Sequence, residues 1–300
     1  MAPKTLSTTD QALLRLDAFA WIESRQQEKG WLSWDELLHD YHFRGMHISL
    51  IGMPGIINPS VLDETLCVQT SFKSPYLDDN STGLVTYKFE AQHGPTEGRN
   101  KKLRRAFANR VPIVYFQGVA MGKYVAWVNV FVVQEDLENE HVMIDLDPAA
   151  SAFTMSHLEN EIEKSYALTQ AKRRVHQPKF RAEVLLAYET KCAICRLKHG
   201  ELLDAAHIVP DSDSRGVAAV RNGLALCKIH HTAYDKQLLG ISPDYEVHVN
   251  AELLLEVDGP MLKHGIQAMH GTQIHTPKSE KQRPDKDLLA ITYDSFLKSA

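Results

Sequence analysis

The stretch Lys191 to Lys236, KCAICRLKHGELLDAAHIVPDSDSRGVAAVRNGLALCKIHHTAYDK, constrains this chain more than any other. It holds three of the four cysteines: a pair Cys192-x-x-Cys195 and, about thirty residues on, a pair Cys227-x-x-His230. Each pair makes a tight corner, and three thiolates with one imidazole suit a closed tetrahedral zinc site. Such a site has no open position for water. It would staple the module together and leave the chemistry to other residues. The N-terminus, MAPKTLSTTDQALLRLDAF, lacks the apolar core of an export signal. Metal ligation is therefore expected over disulfides, and the cytoplasm is the expected compartment. Cys67 stands apart and reads as a small buried hydrophobe.

With 300 residues the chain is long enough for two modest domains. Net charge is −5 and the isoelectric point about 6.3, so no global basic field points to nucleic acid; such a partner would have to be held by local patches. No apolar run is long enough for a membrane span.

Along the chain, the spacing of Leu13, Leu14, Leu16, Phe19, Ala20 and Ile22 predicts a helix over Ser7 to Gln27, capped by Thr8, Thr9 or Asp10. A second short helix is expected at Ser33 to Asp40, with Ser33 as cap. From His42 to Val133 the texture is of strands divided by turns: HISLIGMPGI, LCVQTSF, GLVTYKF, VPIVYFQGV and YVAWVNVFVV. A helix, NKKLRRAFA, interrupts them at Asn100 to Ala108. This predicts an α+β chain. A strand-rich domain occupies residues 1–150, a helical linker 151–178, with Ser156 to Arg174 helical and Pro178 as the break, and a second domain 179–300. In the second domain Phe180 to Tyr188 reads as a helix, Leu202 to Val209 as a strand, and Cys227 to Lys236 as containing a helix. Ile241 to Asn250 reads as a hairpin and Asp285 to Leu297 as a final helix.

Four polar residues in the key stretch are candidates for chemistry: His207, Asn222, His231 and Asp235. On a strand, Leu203, Ala205 and His207 share a face and Asp204 points to the other. On a helix, His230 and His231 diverge by about 100°, so one can serve the zinc while the other faces a cleft. His231 and Asp235 lie one turn apart, where an imidazole and a carboxylate can hold one divalent cation with positions open for phosphate and water. Asp211, Asp213 and His199 read as solvated loop residues.

These residues carry a resemblance. AAHIVP, NGLALC and HHTAYD, in this order and spacing, are similar to the HNH nuclease family with its ββα-metal fold, over about residues 190 to 245. The resemblance implies His207 as general base activating water against a phosphodiester. It implies that Asn222 orients the loop and the His207 ring. His231 is then ligand to a catalytic Mg²⁺ or Mn²⁺, with Asp235 the second ligand and Asp204 behind it. Many members have an Asp or His ligand just before the base; this chain has Ala206.

A second resemblance lies upstream. Tyr76-x-Asp78-Asp79 with Gly83 and Tyr87, the helix with Asn100 and Leu103, Pro112 to Phe116, Gly122 and Tyr124, then VFVV, resembles the SRA domain of the PUA-like fold over about residues 44 to 134. That family reads modified cytosine by flipping the base out of the duplex. Carried over, Tyr76 and Tyr87 would stack on the base and Asp79 would bond its Watson–Crick edge, with Asp78 a weaker candidate. Basic residues fit a DNA partner: Arg99, Lys101, Lys102, Arg104 and Arg105 crowd one helix, and Lys172, Arg173 and Arg174 another segment.

The expectation is a modification-dependent DNA endonuclease that recognises methyl- or hydroxymethylcytosine in double-stranded DNA, acts as a homodimer, and uses a structural Zn²⁺ and a catalytic divalent cation. Two alternatives are an HNH nuclease triggered by another signal (a backbone modification, a nucleotide messenger or a partner protein) and a non-cutting, zinc-stapled DNA-binding module.

Overall fold

The computed structural model describes residues 5–72, 83–91, 94–148, 176–210, 213 and 215–299. The chain forms two compact units, Met1–Lys179 and Phe180–Ala300, each with its own apolar core. The predicted helix at 156–174, with Arg173 and Arg174, and the predicted base-reading residues Tyr76, Asp78 and Asp79 lie outside the described residues.

The first unit opens with α1 (Thr8–Lys29). Ser7 caps it by accepting from the Asp10 amide, and Gly30 ends it at φ 83°. The cap thus falls one residue before the expected Thr8–Asp10 group. Leu14, Ala18, Phe19 and Ile22 form the buried stripe of α1, which packs with Val114, Phe116 and Ala126 of the sheet. The guanidinium of Arg15, on the same helix, is buried and donates to the carbonyls of Thr65 at 2.8 Å and Pro112 at 3.1 Å.

Strands β1 (Leu32–Ser33), β4 (Ile56–Ile57), β5 (Cys67–Thr70), β6 (Leu84–Lys88), β7 (Ile113–Ala120), β8 (Lys123–Asp136) and β9 (His141–Asp145) form one curled sheet, with α2 (Trp34–His39) following β1. Its order is β4-β5-β7-β8-β9-β6, and β1 pairs with the start of β8. Among the described strands of this sheet, only β5 and β7 run parallel. The long β8 gives its first half to β7 and its second half to β9. It bends between the two at a bulge near Asn129, whose φ is 56°; asparagine tolerates this left-handed region better than most residues. The expected strand HISLIGMPGI (47–56) is instead mostly loop: it begins at the end of a short hairpin, β2 (His42–Phe43) with β3 (Met46–His47), and reaches a strand again only at β4. Gly52, Pro54 and Gly55 break the run.

Helix α3 (Asn100–Ala108) has the expected bounds, yet its cations do not all face outward. Lys102 donates its ammonium to the carbonyls of Pro59 and Leu62, and Arg104 makes a two-pronged pair with Glu135 at 2.6 and 3.1 Å. The expected row of phosphate contacts is corrected accordingly: Lys101 and Arg105 are exposed, whereas Lys102 and Arg104 are engaged inside the unit. Tyr87 on β6 is buried, with its hydroxyl packed close to Gly55, so its ring is part of the core and not of an open surface. Cys67 is buried, as expected.

Residues 176–187 are helical, designated α4, and take in Pro178 instead of breaking there; the second unit starts within this helix, at Phe180. Strands β10 (Leu203–His207) and β11 (Gly223–Cys227) pair antiparallel, and α5 (Lys228–Asp235) follows directly. Strands β12 (Leu239–Ile241) and β13 (Val247–Val249) form the expected hairpin, and α6 (Ala251–Leu255), α7 (Pro260–Gly265) and α8 (Lys286–Ser299) complete the unit. Helix α8 seats on β12 at Gly240, where a Cβ would come within 2.6 Å of the Phe296 ring. Among the described residues no helix is long and apolar enough to cross a membrane.

Candidate active site

Helix α4 leads into the first metal corner. Glu189 takes the left-handed position at φ 55° where glycine usually ends a helix, and Thr190 and Glu189 donate back to Leu185 at 2.7 Å and Leu186 at 3.1 Å. The Cys192 amide meets the Leu197 carbonyl at 3.0 Å, and the Arg196 amide meets the Cys192 carbonyl at 2.9 Å. These bonds fold Cys192 and Cys195 into one knuckle. The second corner comes from the junction of β11 and α5, where the Cys227 amide donates to Cys192 Sγ at 3.3 Å.

Together, the Sγ atoms of Cys192, Cys195 and Cys227 and a ring nitrogen of His230 lie within 4.8 Å of one another. Cys195 and Cys227 Sγ are 3.9 Å apart, and His230 Nδ1 is 3.1 Å from Cys227 Sγ. A tetrahedral zinc with bonds of about 2.3 Å to sulfur sets a sulfur–sulfur edge of about 3.8 Å, so the donors fit this ion. His230 Nε2 lies 2.7 Å from the Gly265 carbonyl at the end of α7. Donation there fixes the tautomer and would present Nδ1 to a metal ion held by the cluster.

On the other face of α5, His231 is half-buried between two carboxylates. Its Nδ1 is 3.4 Å from Asp204 Oδ2 and its Nε2 is 3.4 Å from Asp235 Oδ2. Asp204 also accepts from Lys228 Nζ at 2.6 Å. The hydrogen bond from His231, with Lys228 beside it, holds the Asp204 carboxyl down at about 2, and the same bond raises the His231 imidazole above its ordinary value. Asp204 is thus a partner of His231.

His207 closes β10 opposite Gly223. Its ring stacks on Phe180 of α4, with centroids 4.0 Å apart and planes within 10°. Gly223 allows this approach: a Cβ would lie 2.4 Å from Val184 Cγ2 and 3.0 Å from Phe180 Cζ. Beyond His207 the chain enters the long loop to β11, which buried Asn222 secures. Its Oδ1 accepts from the Val209 amide at 2.8 Å, and its Nδ2 donates to the carbonyls of Val209 at 2.9 Å and Val217 at 3.0 Å. Asn222 thus ties both ends of the loop together, next to His207.

A cavity of about 310 Å³ opens beside these residues, with His207, Pro210, Asp213, Arg215, Asp235 and Phe296 among its lining. His207 and Asp235 face the same space, and Asp235 links it to His231. Four features here have no clear sequence signal: the Phe180 stack, the Gly265 acceptor, the Asp204–His231 contact and the wall supplied by α8.

Residues 192–242 match the family model described as HNH endonuclease. The chain contains an HNH endonuclease domain. It is a metal-dependent nuclease, with the Cys₃His cluster inside the matched segment. A sequence search of curated proteins returns no match. Two solved structures are distantly similar. One is described as the modification dependent TagI restriction endonuclease, with 13% identity and a TM-score of 0.33, covering 86% of this chain and 87% of that one. The other is described as the type IV phosphorothioation-dependent restriction endonuclease ScoMcrA, with 14% identity and a TM-score of 0.23, covering 60% of this chain and 47% of that one. The chain thus spans about half the length of the second.

Proposed function

We propose that the second unit hydrolyses DNA phosphodiesters at the site formed by His207, Asn222, His231 and Asp235. The observation that carries this reading is the shared cavity of His207 and Asp235, with His231 bracketed by Asp235 and Asp204. His231 Nε2 and an Asp235 oxygen are 3.4 Å apart, near the roughly 3 Å expected of adjacent ligands on an octahedral cation with bonds of about 2.1 Å. A Mg²⁺ or Mn²⁺ held there would stabilise charge on the phosphate and on the departing 3′ oxygen. Asp204 holds His231 Nδ1 and so leaves Nε2 as the ligand atom. The His207 imidazole, its plane set by Phe180, takes the proton of the attacking water as the bond from phosphorus to the 3′ oxygen breaks. Asn222 holds the loop that starts at Ile208, and through it the end of β10.

The first unit is proposed as the reader of modified cytosine in duplex DNA, with Tyr76 and Asp79 as its base contacts and Lys101 and Arg105, with Arg173 and Arg174, on phosphates. The order of sequence features over residues 44 to 134 supports this. So does the common sheet formed by the strands within that range. Cleavage of both strands needs two active sites, so the acting form is a homodimer, and the biological role is restriction of modified invading DNA. Matched plasmids carrying cytosine, methylcytosine or hydroxymethylcytosine, digested with Mg²⁺ or Mn²⁺, test the reader. Selective cutting of a modified plasmid is expected. Equal cutting of all three would remove the reader assignment, and cutting only of phosphorothioate DNA would move it to a backbone modification.

A further inference from the structure

We propose that Arg215 contacts the scissile phosphate, as an oriented two-pronged donor opposite His207. The inference rests on the nuclease reading above. The residue lies in the loop between β10 and β11, where a polar run reads from sequence as solvent-facing.

Three observations place it at the reaction. First, Arg215 lines the same cavity as His207 and Asp235, and it is the one lysine or arginine among the described residues that do. The attacked phosphate gains negative charge, and among the described residues Arg215 is the one permanent side-chain cation lining that space. Second, its guanidinium is held side-on. Nε donates to Asp213 Oδ1 at 2.9 Å and Nη2 to Asp213 Oδ2 at 2.5 Å, while the Arg215 amide meets Oδ1 at 3.0 Å. Two of the five guanidinium protons are thereby used. The outer fork, both Nη1 protons and one on Nη2, has no partner among the described residues. That edge matches two phosphate oxygens in spacing and plane. The side chain is 54% exposed, so an incoming strand can reach it.

Third, the loop that carries it is anchored. The Asp213 amide bonds the Pro210 carbonyl at 2.9 Å, and the Gly216 amide bonds the Asp213 carbonyl at 2.9 Å. Gly216 lies so close to Pro210 that a Cβ would come within 2.1 Å of its carbonyl oxygen. Asn222 then bonds Val209 and Val217 on either side of this turn. One buried amide therefore sets both the end of β10, with its base, and the loop with its guanidinium. Asp213 acts as the positioning residue for Arg215.

The test uses the full-length, zinc-loaded protein and single-turnover and steady-state cleavage of duplex DNA with Mg²⁺. Arg215→Ala is expected to lower kcat by about 10²-fold, the usual loss for one transition-state donor, with a smaller change in KM. The melting temperature and zinc content stay at their wild-type values. Arg215→Lys, which lacks the fork, is expected to recover no more than about a tenth of the lost rate. Asp213→Ala, which frees the fork without removing it, is expected to fall between Arg215→Ala and the wild type. Cleavage by Arg215→Ala within threefold of wild type, while His207→Ala is inactive, would overturn the proposal, leave the nuclease site standing, and mark the Asp213 pair as a surface ion pair only. Wild-type cutting by His207→Ala would instead bring down the site reading, and this proposal with it.

Discussion

Replacing Asn222 with alanine probes the coupling between the interior and the site. The side chain is 2% exposed and makes three hydrogen bonds, one from the Val209 amide and two to the carbonyls of Val209 and Val217. Each such bond contributes about 1 kcal/mol net, and a buried partner left unsatisfied costs about 1–3 kcal/mol. Asn222→Ala should therefore cost about 3 kcal/mol, a large part of the roughly 5–15 kcal/mol that stabilises a typical domain. The loop ends come apart and the His207 ring shifts, for which a displacement of about 1 Å costs about 10²-fold in rate. Asn222→Asp is the sharper variant. It keeps the acceptor for the Val209 amide but turns an oxygen toward two carbonyls, so its rate should be no higher than that of Asn222→Ala. Urea denaturation and plasmid nicking with Mg²⁺ read the two effects separately. An unchanged urea midpoint would refute the bonding account. A lowered midpoint with a wild-type rate, in conditions where the protein is folded, would refute the link between the loop and catalysis.

Other outcomes follow from the same geometry. Cys195→Ala should lower bound zinc from one ion to none per chain, measured by elemental analysis, and the second unit should lose its cooperative thermal transition; removal of zinc by a chelator should do the same. Gly223→Ala forces a Cβ to within 2.4 Å of Val184 and should cost about 1–3 kcal/mol by thermal melting, with a loss of cleavage as Phe180 moves off His207. Asp204→Asn should weaken Mn²⁺ binding by about 10–100-fold in calorimetry while leaving zinc content intact, as expected of a residue that orients a ligand.

Much of the candidate site is legible in the sequence because its residues come together through local spacing. Two short pairs define the corners of the Cys₃His cluster, the adjacent His230 and His231 diverge around α5, and Asp235 returns to His231 after one turn. What is not legible depends on partners distant in the chain. Gly265 contributes a backbone carbonyl, which no residue type announces. Phe180 reaches His207 only because Gly223 has no side chain. Asp213 reads as a solvated loop residue, and nothing in the sequence singles out Arg215, until Gly216 and Asn222 bring the turn together. The same limit applies in the first unit. Lys102 and Arg104 read as a basic surface from composition, but Glu135 and two carbonyls claim them, and Tyr87 reads as an aromatic beside a turn but is buried near Gly55.

The central claim, that His207 and the His231–Asp235 pair form one metal-dependent site for phosphodiester cleavage, is tested most directly by nicking of supercoiled plasmid carrying modified cytosine. Wild type, His207→Ala and Asp235→Ala would be compared at matched zinc content, with and without Mg²⁺ or Mn²⁺. The wild type should nick only when the divalent cation is present. His207→Ala should not nick at any cation concentration, and Asp235→Ala should need a higher one. Wild-type cutting by His207→Ala, or cutting by the wild type after removal of all free divalent cation, would contradict it.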